Sequence, residues 1–130
     1  MKYLVLLGRI FFSAIFIIAS FGHFTSKTIA FAASRGVLFP SILVPFSGIL
    51  ALLGGLSILI GYKARWGALL LVLFLVPVTL TLHQFWGLSD PGAASIQKAM
   101  FMKNLALLGA SLLIIYFGSG PLSIKSRANT

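Results

Sequence analysis

Four apolar runs of about 20 residues, at residues 3–24, 41–61, 66–86 and 100–117, take up most of this 130-residue chain. Each is long enough to cross the hydrocarbon core of a bilayer as a helix, which needs about 20 residues at about 1.5 Å of rise per residue. Only 8% of the residues are charged and 59% are hydrophobic, whereas soluble domains carry about a quarter charged residues. Lipid must therefore be the main solvent. The expected fold is all-α: a single domain, residues 1–130, forming an antiparallel bundle of four transmembrane helices with no separate soluble domain.

The first run is broken only by Arg9 and His23. A charged start followed by such a run resembles a signal peptide, but Arg9 lies inside it and no convincing A-x-A cleavage site follows, so the segment reads as a retained helix. Between spans one and two, Thr28 to Ser34 suits a short interfacial helix, with Gly36 free to take a left-handed cap and Pro40 ending the local structure. In span two, Gly48, Ala51 and Gly55 recur at helical spacing and let a neighbouring backbone come close. Residues 61–65 allow only a tight turn between antiparallel helices. Trp66 and Trp86 bracket span three as interface anchors, and Pro77 is placed to kink it. Asp90, Pro91 and Gly92 mark a turn in the next connection. Span four contains Lys103 and Asn104 and is stopped by Gly118, Gly120 and Pro121.

The net charge of +9 comes from ten Lys and Arg against a single acid, Asp90. These basic residues flank the apolar runs as membrane anchors do, which argues against a nucleic-acid partner and for membrane lipids. The absence of Cys excludes disulfides, thiolate zinc sites, iron–sulfur clusters and thiol nucleophiles in this chain. One carboxylate excludes paired-carboxylate catalysis and the usual intramembrane Asp or Glu proton relay. Outside the runs, Lys2, Lys63, Arg65, Lys125 and Arg127 stand on one side against Lys27, Arg35 and Lys98 on the other. By the positive-inside rule, both termini are expected in the cytoplasm.

Charged and polar groups within the spans carry the functional information, because an Arg or Lys at mid-helix costs roughly 2.5–3.5 kcal/mol on insertion scales. Arg9, Ser13, Ser20 and His23 fall within about 40° of Arg9's direction on a helix turning about 100° per residue, a stripe shared with Phe12 and Phe16. The stripe should face into the bundle. Helix alternation then gathers His23, His83, Gln84, Trp86, Lys103 and Asn104 at one depth near the non-cytoplasmic face, and this cluster is the candidate ligand site. The competing reading is that Lys103 snorkels and the histidines meet water at the interface. Arg9, about 21 Å from His23 along the axis, has no acidic residue in any span to pair with. It needs helix-end carbonyls, water, a lipid phosphate or an anionic ligand. Two histidines on separate helices can ligate a haem axially, but the nearby cations and shallow depth disfavour it, and two His make a poor zinc site. No metal and no catalytic residue is expected.

Gly8-Arg9, Gly22-His23-Phe24, Leu53-Gly54-Gly55-Leu56 with Gly61, His83-Gln84-Phe85-Trp86, and Lys103-Asn104-Leu105-Ala106-Leu107-Leu108-Gly109 together resemble, in order and spacing, the DoxX family of small four-helix membrane proteins. The resemblance covers most of the chain. It implies a bacterial inner membrane protein, some of whose relatives are the membrane subunit of a thiosulfate:quinone oxidoreductase or accompany redox and oxidative-stress proteins. At Ala51 the chain departs from the pattern, since many members carry an acidic residue just before the paired glycines.

Three functional expectations follow. The first is an accessory or anchor subunit of a quinone-linked redox or stress-response system, with a quinone or lipid held between helices and electrons supplied by a partner protein. The second is a small transporter or channel, against which stand the missing carboxylates and the missing second repeat half. The third is a structural assembly protein without a ligand. Self-association into a homo-oligomer is compatible with all three, because the small-residue face of span two can pack within one bundle or between copies.

Overall fold

A computed structural model describes residues 1–124. Among them the chain forms α1 (Lys2–Gly22), α2 (Ser26–Ser34), α3 (Pro40–Ile60), α4 (Ala64–Leu82) and α5 (Pro91–Phe117). The long helices α1, α3, α4 and α5 are each apolar enough to cross a membrane. The protein is an all-helical, multi-pass membrane protein of four spans, with the short α2 between the first two.

The local chemistry moves several boundaries from where the sequence reading put them. α5 begins at Pro91, not near Met100, because the Asp90 carboxylate accepts from the Gly92 N–H at 3.2 Å and Pro91 occupies the first turn, so the supposed turn is a helix cap. α4 stops at Leu82, short of Trp86. His83 takes a non-helical cap conformation, and the Gln84 side chain donates to the freed Leu80 carbonyl at 2.7 Å. Trp86 therefore lies beyond the helix, packed edge-on against Phe85 and Phe101. Pro40 opens α3 at its first turn instead of ending the preceding structure, where its missing N–H costs nothing. α2 begins two residues earlier than Thr28, since Thr25 caps it by accepting from the Thr28 N–H. Gly36 does take the left-handed conformation at its end, with φ +84°.

Apolar side chains gain little by leaving lipid for one another, so close packing must come from small residues that let backbones approach. α3 supplies them on two faces. A Cβ on Gly48 would stand 2.8 Å from His23 Cβ, and one on Gly55 would stand 3.4 Å from the Ser13 carbonyl oxygen, so these two glycines seat α1. Gly54 faces the other way, and its Cβ would stand 2.8 Å from the Gly67 carbonyl oxygen of α4. Ala51, Ile58, Ala68, Leu71, Phe74 and Leu75 fill the core around this seam together with Phe16 of α1. α5 packs against α4, so the spans are arranged α1, α3, α4, α5, and α1 and α5 barely touch. Arg9, Ser13, Phe16 and Ser20 are all buried, and the polar stripe of α1 faces the bundle.

At the end of the bundle that holds the N-terminus, residues 118–124 fold back over the helices. Gly118 lies against the Arg65 side chain and Gly120 against Val5. Arg9, only 5% exposed, donates through Nη2 to the Leu122 carbonyl oxygen. Its Nη1 lies beside Gly61, where a Cβ would stand 2.4 Å away. Gly61 caps the C-terminus of α3, the end of a helix that carries partial negative charge. Of the partners open to Arg9, the protein supplies one carbonyl, while Nε and Nη1 are enclosed and make no hydrogen bond. Lys125 and Arg127, which contribute to the charge bias behind the orientation, lie outside the described residues.

Gly54→Val should force α3 and α4 apart, since its Cβ would meet backbone and not a flexible side-chain tip. Thermal unfolding of the detergent-solubilised protein, followed by circular dichroism, should show a loss of about 1–3 kcal/mol. Val at the unobstructed Gly109 position should be far milder.

Candidate functional site

Because α1 and α5 both lean on the α3–α4 pair without closing on each other, a cleft of about 90 Å³ remains between α1, α4 and α5 at the α2 end of the bundle. Its apolar wall includes Phe16, Phe74, Leu75 and Val78, and its polar groups are His23, His83, Lys103 and Asn104. Four of the seven candidate residues thus meet in one cleft. The other three do not line it: Gln84 is spent on the end of α4, Trp86 sits in the aromatic group with Phe85 and Phe101, and Arg9 lies at the opposite end of the bundle.

Each histidine is oriented by a hydrogen bond that fixes its tautomer. Ser47 donates its hydroxyl hydrogen to the Val44 carbonyl at 2.6 Å, so its oxygen must accept from His23 Nδ1, 2.8 Å away. His23 then carries its proton on Nδ1, and its ring packs against Phe74 at 5.3 Å. His83 Nδ1 likewise donates to Gln97 Oε1 at 2.9 Å. In the neutral rings both Nε2 atoms are left as acceptors. His83 lies just beyond the last residue of α4. Burial pushes its imidazole below the ordinary value, the Gln97 hydrogen bond acts the other way, and the Lys103 and Arg35 charges lower it further. His23, just beyond α1, is lowered chiefly by burial, with its backbone contact at Val44 opposing and the charge of His83 adding to the fall. Both shifts favour the neutral ring.

Lys103, the cation of the cleft, has no opposing charge among the described residues. Lys103 Nζ has only a weak contact with Met100 Sδ, at 3.7 Å. Asn104 is 5% exposed, yet its carboxamide makes no hydrogen bond to any described residue. It also borders a second, apolar groove of about 210 Å³ that runs between α4 and α5 past Thr79, Leu80 and Phe101. No group of three or more metal-ligating side chains occurs among the described residues.

Sequence reasoning missed Ser47, Gln97 and Phe74. Gln97 is two helical turns before Asn104, a spacing that puts both on one face, but the relation was hidden while α5 was taken to start near Met100. Ser47 precedes Gly48, whose lack of a side chain brings His23 within reach. Phe74 carried no signal beyond the apolar pattern.

A four-span membrane bundle with a polar cleft opening between its first and last spans is the class of protein this geometry defines. The DoxX family model matches residues 4–84, and the chain belongs to the DoxX family. It is similar to inner membrane protein YqjF of Escherichia coli, 32% identical over 127 residues that cover 96% of this chain and 92% of that protein. Inner membrane protein YphA of the same organism is 26% identical over 126 residues, 95% of this chain and 89% of that protein. ER-derived vesicles protein ERV29 of Saccharomyces cerevisiae is 29% identical over 82 residues, 63% of this chain but 26% of that protein. No solved structure matches the chain.

Asn104→Leu is close in volume and removes the unpaired amide. Ligand-free protein should keep its stability or gain about 1 kcal/mol, measured by thermal unfolding after delipidation. A fall of several kcal/mol would mean that the amide is bonded within the protein and not open to the cleft.

Proposed function

We propose that the protein is a non-catalytic accessory or anchor subunit of a quinone-linked redox system in the bacterial inner membrane, holding the headgroup of an isoprenoid quinone in the α1–α4–α5 cleft. The observation that carries this reading is Asn104, whose carboxamide makes no hydrogen bond to any described residue in a cleft it shares with Lys103 and two histidines. A quinone carbonyl needs donors, and Lys103 Nζ and the Asn104 amide supply them. A quinol hydroxyl needs an acceptor, and the bare Nε2 of a neutral His23 or His83 supplies one. The cleft therefore suits both redox forms of one ring.

Its size supports a headgroup and not a larger cofactor. About 90 Å³ is well below the roughly 300–1,000 Å³ of sites that enclose a whole small molecule, which disfavours haem. An isoprenoid tail has a route out along the apolar groove beside Asn104. The chain carries no Cys and a single carboxylate, so the electrons come from a redox partner protein. The basic residues flanking the spans favour cytoplasmic termini, with the cleft opening toward the other face.

The test is mass spectrometry of small molecules extracted from gently purified protein, with wild type compared with a folded His83→Ala, Lys103→Ala double variant. The expected outcome is one quinone per chain in the wild type and loss of it in the variant. Equal quinone in both samples, or none above bulk membrane levels in either, would contradict the reading and favour a structural assembly role.

A further inference from the structure

A cavity of about 480 Å³, larger than the polar cleft, is a groove on the other side of Phe74 and Val78, between α2, α3 and α4. Its origin is the α3–α4 seam. At Gly54 and Gly67 the two helices are in backbone contact, whereas toward α2 the facing residues are Val44, Ser47 and Leu50 against Pro77, Val78 and Thr81. Pro77 also lacks the N–H that would bond one turn back in α4.

Three observations identify what fits there. The polar atoms of the lining are already used within the helices, since Ser47 donates to the Val44 carbonyl at 2.6 Å and Thr81 to the Pro77 carbonyl at 2.7 Å. The groove therefore offers hydrocarbon contact and little hydrogen bonding. Its rim consists of exposed Leu38, Leu43, Phe46 and Leu73, which in a four-span protein face the acyl chains of the bilayer. Finally, Arg35, between groove residues Ala32 and Gly36, reaches from the end of α2 to donate to the Gln84 carbonyl at 2.6 Å, and so carries its charge across the ends of α2 and α4, next in the chain to groove residue Gly36. Its Nε is enclosed and makes no hydrogen bond, and no carboxylate pairs with it among the described residues. An apolar slot with an uncompensated guanidinium at its interfacial end matches a lipid with a negative headgroup.

We propose that the α2–α3–α4 groove holds one acyl chain of an anionic bilayer phospholipid, with the headgroup phosphate on Arg35. The site is separate from the polar cleft and does not depend on a quinone binding there. Bound lipid fills the gap between α3 and α4 and fixes α2 against their ends.

Native mass spectrometry of the full chain released from vesicles of equal phosphatidylglycerol and phosphatidylcholine tests this directly. Wild type should retain one phospholipid per chain, with phosphatidylglycerol preferred. Arg35→Gln should retain lipid but lose that preference roughly fivefold, the effect of one interfacial cation. Thr81→Trp, which fills the groove, should lose the retained lipid, while Leu112→Trp on the exposed face of α5 should behave as wild type. Circular dichroism establishes that each variant is folded, and Arg35→Gln keeps the test decisive if Thr81→Trp does not fold. The proposal is overturned if wild type retains no lipid, if Arg35→Gln keeps the full preference, if folded Thr81→Trp keeps its lipid, or if the retained molecule is a quinone.

Discussion

The contact of Gly54 with the Gly67 carbonyl sets α3 against α4 at backbone distance, and the other helices take their places from that seam. α3 carries glycines on two faces, so it is held by α1 on one side and α4 on the other, while α5 packs on α4 alone. A row of four spans tied through its middle in this way does not close between α1 and α5. The polar cleft and the apolar groove are both consequences, one on each side of Phe74 and Val78. In a bilayer, where apolar burial contributes little, such small-residue contacts and hydrogen bonds decide the arrangement.

The polar residues divide by whether the protein itself satisfies them. Ser20 is matched by the Ile17 carbonyl, and Arg9 in part, through Nη2 on the Leu122 carbonyl, while its Nε and Nη1 are enclosed without a hydrogen bond. These groups are spent on closing the bundle. Lys103, Asn104 and the two Nε2 atoms are not, although Ser47 and Gln97 hold the histidine rings in place. On the proposed reading, these oriented rings beside unpaired donors are what receives the ligand.

Much of this could be read from the residues. The four spans follow from apolar run length alone, and the inward stripe of α1 from helical spacing, because hydrocarbon penalises any other direction for Arg9 and Ser13. The depth matching that joined His23, His83, Lys103 and Asn104 needed only alternating helices. What failed was local chemistry at the ends. Asp90-Pro91 reads equally as a turn or as a cap and first helical turn, and only the latter brings Gln97 onto the face of Asn104. His83 and Trp86 are close in sequence, but the end of α4 at Leu82 sends them to different places. The α2–α3–α4 groove was not legible, since it depends on how far α3 and α4 separate beyond Gly54, and no residue type reports that separation.

The central claim, that the cleft is a prepared ligand site with two neutral histidines presenting Nε2, is tested most directly by nitrogen NMR. His23 and His83 are the chain's two histidines, so histidine-labelled protein in nanodiscs gives an uncrowded spectrum. At pH 7 both rings should show a protonated Nδ1 and an unprotonated Nε2, and a short-tailed quinol should shift both Nε2 signals while leaving Nδ1 nearly unchanged. Charged rings in the free protein, or Nε2 signals that stay fixed at saturating quinol, would contradict the account.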